Sequence, residues 1–480
     1  MNKQQVKQAK AVLEKFKRQL VTIKAAMTDV ESQIITMTNT LAPVSSIPNE
    51  ILAIIFKEVC GSDGYSSDGT DAPRSNLPSM VLVSHINRRF RHIAIDTPSL
   101  WARVHIHLSS TLDIHLMDAY LERSKSNVLR IWIIGVTRQL DSLHKVVGRL
   151  LPHTGRWKTL SVLSDMETVM RQIVSSLQHL YVPQLESIHI QLKGSPLGTT
   201  GTQVRIFQGG APALKSVVLR NINLLGCFPP LSAVETLHNS TIHPHLMALS
   251  HSQFRDILIR AQSLTNLQLS TAAFDPDIGT DLEAIDLPSL RTLVLIVDRY
   301  PFQMEGNSLI RVFKTLRIPS LQTLKLHAVA PVCALDIVQF LQAEGHLRYP
   351  SLQSLAFADT NCSEYFPLDL ARALPNITSL SLARSTEDFV LKLLMNGDDI
   401  ISPSLWPHLK TLELVNKDID LNLLRNFLRS REGNIHSLTL SMVGAIPLDF
   451  DDWLKAHVKY VDIATQYAFR TLQPSFHRLI

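Results

Sequence analysis

His238, His243, His245 and His251 form a histidine cluster within fourteen residues of sequence. A zinc site built from them would need thiol or carboxylate company at fixed spacing. Pro244 interrupts the group and a helix is expected to start beside His251, so ordinary loop histidines are the expectation. Cys60, Cys227, Cys333 and Cys362 stand far apart and form no Cys-x-x-Cys pair. That usage fits buried thiols in a reducing compartment and argues against a disulfide framework. There is no glycine-rich phosphate loop, Gly-x-Ser-x-Gly elbow, His-Glu-x-x-His pair or calcium-loop ligand string. No catalytic set and no cofactor are therefore expected, and the chemistry to look for is non-covalent contact. Arg88, Arg89, Arg91 and His92 are the densest basic patch, read as the solvated face of a helix that could meet an acidic partner.

The contact chemistry concentrates early. In Ile47-Pro48-Asn49-Glu50-Ile51-Leu52-Ala53-Ile54-Ile55-Phe56, Pro48 suits a first helical position, and Glu50 sits in the first turn, where the helix dipole favours an anion. Ile51, Leu52, Ile54, Ile55, Val59 and Cys60 then cover more than one face of that helix, too much apolar surface for it to hide alone. Leu82, Ile86, Phe90 and Ile93 recur at helical spacing, which predicts a second helix over 82–94, and Thr97-Pro98 should end it before Leu100 and Trp101.

These residues resemble the F-box, a small helical module whose apolar face docks on a Skp-family adaptor of cullin-based ubiquitin ligases. The resemblance implies adaptor-binding roles for Ile47, Pro48, Glu50, Ile51, Leu52, Ile55, Phe56, Leu82, Val83, Phe90, Ile93, Pro98, Leu100 and Trp101, with Arg91 also matching. Arg88 and Arg89 should matter little. Ser84 and Phe90 stand where that family often has Cys and Trp. Residues 61–76 form an insertion, small, acidic and expected to be disordered.

With 480 residues and 45% hydrophobic composition the chain can bury a large core. The net charge of +5 is mild for this length, and without a block of Lys and Arg nothing demands a nucleic-acid partner. The start of the chain lacks the apolar core and cleavage site of a secretory signal, so export is not expected. Apolar runs are strand-sized, as in Ile131-Trp132-Ile133-Ile134, so no membrane span is expected either. A cytoplasmic or nuclear location follows.

Residues 1–41 carry an unbroken heptad seam: Val6, Ala9, Leu13, Phe16, Leu20, Ile23, Met27, Val30, Ile34, Met37 and Leu41. This predicts a coiled-coil helix. Its seam must meet either a second copy, giving a homodimer, or a surface of this same chain.

After Trp101 the texture becomes a repeat. The unit Pro-x-Leu-x-x-Leu-x-Leu recurs at 182–190, 287–295, 318–326, 349–357, 374–382 and 406–414, with weaker copies at 211–219, 234–239, 263–269 and 435–440 and first members at 128–133 and 157–162. The last two leucines of each unit share one face of a short strand and the residue between them points the other way. Amphipathic helices are expected between strands at 166–180, 254–261, 309–316, 335–343, 369–374, 389–394 and 421–428. A period of about twenty to thirty-two residues lies in the range of leucine-rich repeats. This part resembles the degenerate leucine-rich repeats found behind F-boxes, and the layout is similar to F-box proteins of mushroom-forming fungi. The asparagine ladder of regular repeats is missing: Asp298 and Val329 stand where it should fall.

The expected fold class is α/β: a coiled-coil helix over 1–41, an F-box over 45–101, then a curved leucine-rich-repeat solenoid over 102–480, closed by a terminal helix starting at Pro447. Its open face should display His189, Gln268, Val294, Lys325, Ala356, Ser381 and Glu413, with Arg220 nearby. So small and neutral a row suits a protein target recognised by shape rather than a phosphorylated peptide. The resemblance implies a non-enzymatic adaptor that joins a target protein to a Skp-family partner and, through it, a cullin. The alternative is a repeat scaffold dimerised through its first helix, with residues 47–101 merely capping the first repeat.

Overall fold

The structure, a computed structural model, describes residues 3–41, 43–61, 79–108, 112–135, 140–193, 203–241, 249–271, 284–297, 307–329, 331–359, 366–383, 406–415, 419–431, 433–442 and 446–465. It is a mixed α/β chain that divides into two compact units, one holding the helices up to Leu100 and the other beginning at Trp101. The insertion expected to be disordered, the helix expected at 389–394, and His243 and His245 lie outside the described residues, apart from Gly61 at the end of a helix.

The first unit opens with α1 (Lys3–Leu41), a single 39-residue helix in which every described side chain is exposed. A 3-10 turn, Pro43–Ser46, leads into α2 (Asn49–Gly61), with Glu50 in its first turn as expected. The second helix expected over 82–94 is in fact two, α3 (Ser79–Ile86) and α4 (Arg88–Ile95). Asn87 divides them: its backbone is extended, with φ −157°, and its side chain accepts a hydrogen bond from Phe90 N at 2.8 Å, an N-cap that starts a new helix.

The second unit is built on one sheet of 14 strands, all parallel, paired in chain order and not closed. It begins at β1 (Arg103–His107), β2 (Leu129–Gly135), β3 (Trp157–Ser164), β4 (Ser187–Leu192), β5 (Ser216–Arg220), β6 (Thr236–Ser240) and β7 (Asn266–Ser270). β8 (Ile285–Asp286) and β10 (Leu316–Arg317) form a separate two-stranded pair. The main sheet continues with β9 (Thr292–Ile296), β11 (Thr323–His327), β12 (Ser354–Ala358), β13 (Ser379–Ala383), β14 (Thr411–Val415), β15 (Ser437–Met442) and β16 (Tyr460–Thr465).

The register explains why leucine recurs. Leu267, Leu293, Leu324, Leu355, Leu380, Leu412 and Leu438 are direct neighbours across the sheet, and Leu269, Leu295, Leu326, Phe357, Leu382, Leu414 and Leu440 form a second row two residues on. All of these are buried. Period-2 alternation thus puts both leucines of each unit on the covered face, where removing apolar area from water stabilises every strand against the next. Helices at Glu167–Ser176, His251–Arg260, Asn307–Thr315, Pro331–Arg348 and Phe366–Ala373 connect strands where they were expected.

Sharp exits recur at strand ends. Asn221, Ala328 and Asp359 each follow a strand with positive φ (55°, 59° and 51°), and each N–H donates to the next strand, at Ser240, Ala358 and Ala383. Buried asparagines supply part of what a regular ladder would: Asn221 donates to Leu192 O at 2.9 Å and Asn239 to Ile222 O at 3.0 Å. At the other end Trp406, buried with φ 47°, donates its indole N–H to Leu374 O at 3.0 Å and accepts from Arg431 at 3.3 Å. The terminal helix Leu448–His457 is present, but β16 follows it, so the sheet runs one strand beyond the expected closing helix.

Candidate docking surfaces

The α2 helix has two apolar faces with different fates. Leu52, Phe56 and Cys60, four residues apart, point inward and are buried. Phe56 meets Phe90 of α4 with ring centroids 5.0 Å apart, and Met80, Val83, Ile93, Ala94 and Leu100 are buried as well. Ile51, Ile54, Ile55 and Val59 follow helical spacing on the opposite arc and are 41 to 53% exposed. On α3, Leu82 is 47% exposed and Ile86 63%. Solitary exposed apolar residues are ordinary, whereas these four share one arc of a short helix and form an exposed apolar patch.

This divides the expected adaptor-binding residues. Pro48, Glu50, Ile51, Ile55 and Leu82 are on the surface, while Ile47, Phe90 and Pro98 are half-buried. Leu52, Phe56, Val83, Ile93, Leu100 and Trp101 are interior residues, a correction to their expected role as contact anchors: three short helices need their own core, and the first five of these side chains belong to it. Trp101 belongs to the second unit, edge-on to Tyr120 at 5.1 Å with Arg123 stacked over its ring at 4.4 Å. Ile54, Val59 and Ile86 were missed as surface residues, although their spacing with Ile51 and Leu82 carried the signal.

In the basic patch Arg88, Arg91 and His92 are exposed, and the expectation is corrected at Arg89 alone. Arg89 is half-buried and donates to Asn49 Oδ1 at 2.9 Å, to Ser45 O at 2.7 Å and to Ile47 O. It fixes the entry to α2 rather than facing solvent. Arg91 donates to Ser84 O at 3.1 Å.

The second surface is the sheet face opposite the leucine rows. Its central row runs His105, Trp132, Ser161, His189, Val218, His238, Gln268, Val294, Lys325, Ala356, Ser381, Glu413 and Thr439, each beside the next. Gln268, Ala356, Ser381 and Glu413 are partly exposed and Lys325 is exposed. His189 and Val294 belong to the row but are buried, and Arg220 lies two residues off it and is also buried, so these three are not displayed as expected. The row before it is Thr159, Ser187, Ser216, Thr236, Asn266, Thr292, Thr323, Ser354, Ser379, Thr411 and Ser437, almost entirely hydroxyl.

One electrostatic feature was invisible in the sequence. His189 and His238 flank Val218 on neighbouring strands, with Arg220 close to both. Burial first, and then the Arg220 charge, hold both imidazoles down to about 3, so they are neutral. Neither ring nitrogen of His189 has a hydrogen-bond partner, while His238 Nε2 lies 3.2 Å from Ser240 Oγ. His105, stacked on Trp132 at 4.5 Å, is likewise pushed to about 3 by burial and by the His107 and Arg103 charges. Among the described residues no grouping of three His, Cys, Asp or Glu could hold a metal ion, and no helix is long and apolar enough to cross a membrane. A groove of about 550 Å³ is lined by Arg205, Phe207, Gln208, Phe228, Pro230 and Arg260 and brings together no nucleophile with a base.

No protein-family model matches the chain, and no curated protein matches it significantly.

Proposed function

We propose that this chain is a substrate-recognition adaptor of a Skp-cullin-F-box type ubiquitin ligase, acting in the cytoplasm or nucleus. The helices α2 to α4 bind a Skp-family adaptor, and through it a cullin. The long sheet is a curved leucine-rich-repeat solenoid that holds a target protein. The chain supplies proximity and no catalysis. The observation that carries this reading is the split of α2, which buries Leu52, Phe56 and Cys60 yet leaves Ile51, Ile54, Ile55 and Val59 open beside Leu82. An apolar arc of that kind supplies the buried centre of a protein interface. The half-exposed polar row ending in Glu413 and Thr439 supports a target bound by shape and hydrogen bonding.

The test is co-purification of the full chain with a recombinant Skp-family adaptor. Binding by the parent chain, lost in Ile51→Asp/Ile55→Asp while the circular dichroism spectrum is kept, is the expected result. A parent chain that does not bind the adaptor sinks the proposal.

The second reading, a repeat scaffold whose first helices serve only as a cap, is favoured by the burial of Leu52 and Phe56. It leaves Ile51, Ile54, Ile55 and Val59 without a purpose, and it predicts that aspartate at Ile51 and Ile55 changes no interaction.

A further inference from the structure

The α1 helix is long, amphipathic and uncovered. Its described seam residues from Leu13 to Met37 are between 53 and 68% exposed, and no described side chain of the helix is buried. Most helical stability comes from packing an apolar face, so a helix with so open a seam calls for a partner.

The seam keeps a strict heptad through all of its length. A straight helix drifts about 20° per heptad against such a repeat, so the stripe winds around the rod and cannot lie flat on a membrane surface. A supercoiled second helix follows it.

Charge identifies that helix. Up to Leu20 the helix holds six Lys and Arg against Glu14 alone; beyond it, Lys24 stands against Asp29 and Glu31. Two parallel copies would set the basic halves side by side, and their flanking pairs, such as Gln5 with Lys10 and Gln19 with Lys24, would hold no opposite charges. Head to tail, each basic half meets the acidic one. The register of greatest overlap pairs Leu13 with Val30 of the other copy and Leu20 with Ile23. It brings Lys17 beside Glu31 twice, the one cost being Lys24 facing Lys24. Lys17 now bonds Glu14 at 2.9 Å, in a pair so exposed that it can exchange.

We infer that α1 pairs with α1 of a second copy as an antiparallel coiled coil, in the register that joins Leu13 to Val30. The inference goes beyond the proposed function and does not rest on it. Its consequence is geometric: at 1.5 Å per residue the rod is about 58 Å long, so the two copies of Leu41 sit at opposite ends. Each end then carries one copy of α2 to α4, so the assembly presents those helices twice.

The experiment uses the full chain. Light scattering after size exclusion should give twice the 53.8 kDa chain mass, and Phe16→Asp/Ile23→Asp should weaken self-association by at least about tenfold while α2 to α4 keep their amide protection. Brief oxidation of Leu13→Cys alone, or of Val30→Cys alone, should give no seam disulfide, whereas a mixture of the two should link them in the peptide mass spectrum. A monomeric parent chain would overturn the inference, whether α1 then proves folded back or bound to anionic vesicles. So would self-linking of Leu13→Cys, the mark of parallel chains.

Discussion

Arg89 donates its Nε–H to Asn49 Oδ1 at 2.9 Å across 40 residues of sequence, and its other nitrogens reach the Ser45 and Ile47 carbonyls. The guanidinium of α4 thus ties down both the turn before α2 and the first residue of α2. Hydrogen bonds from a charged donor contribute about 1.5–3 kcal/mol, and unmet carbonyls add to the loss. Arg89→Ala should therefore destabilise the helical module by about 2–3 kcal/mol. Arg89→Lys, with one point charge for a planar fork, should restore only part of it. Amide exchange over 45–61 reads this locally; unchanged protection in Arg89→Ala would refute the role.

The two faces of α2 should respond oppositely. Leu52→Ala, in the core, should cost about 2–5 kcal/mol of stability through lost burial and the cavity left behind. Ile51→Ala on the open face should move stability by less than about 0.5 kcal/mol and weaken adaptor binding instead. Denaturant unfolding of the module with a binding titration separates the two; equal destabilisation by both would contradict the assignment.

Acid should loosen the sheet. His105, His189 and His238 are held neutral at about 3 when folded, against an ordinary 6.5. Between those values the unfolded chain binds more protons, so this contribution is full above 6.5 and is lost progressively as pH falls toward 3. The melting temperature should drop on going from about pH 7.5 to about pH 5, and His189→Leu, whose loss orphans no hydrogen bond, should shallow that slope. A His189→Leu slope equal to that of the parent would show that His189 does not couple to pH.

Trp406 joins successive repeats by its buried ring and by the indole hydrogen bond to Leu374 O. Trp406→Ala should cost about 3–5 kcal/mol, and Trp406→Phe, which keeps most of the apolar bulk and loses the bond to Leu374 O, about 1 kcal/mol. Thermal unfolding compares the two; equal losses would mean that the ring packing contributes nothing.

Sequence reasoning located the leucine rows because each strand repeats the same local demand: two apolar residues two apart, facing one side. β1 and β16 escaped it because Arg103–His107 and Tyr460–Thr465 carry that alternation without the leucine unit. The break at Asn87 was hidden because Asn can sit inside a helix as well as cap one. Which face of α2 turns inward was equally hidden, since apolar residues cover both arcs and only α3 and α4 decide between them. The Arg89 contacts and the His189–His238 pair join positions far apart in the chain, where no local spacing reports proximity.

The central claim is that the open arc of α2, with Leu82 beside it, receives a Skp-family adaptor. Hydrogen–deuterium exchange of the full chain with and without that adaptor tests it most directly. Slowed exchange is expected in Asn49–Gly61 and Ser79–Ile86, with the sheet unchanged. Exchange unaltered in those two helices, or slowed only from Trp101 onward, would contradict it.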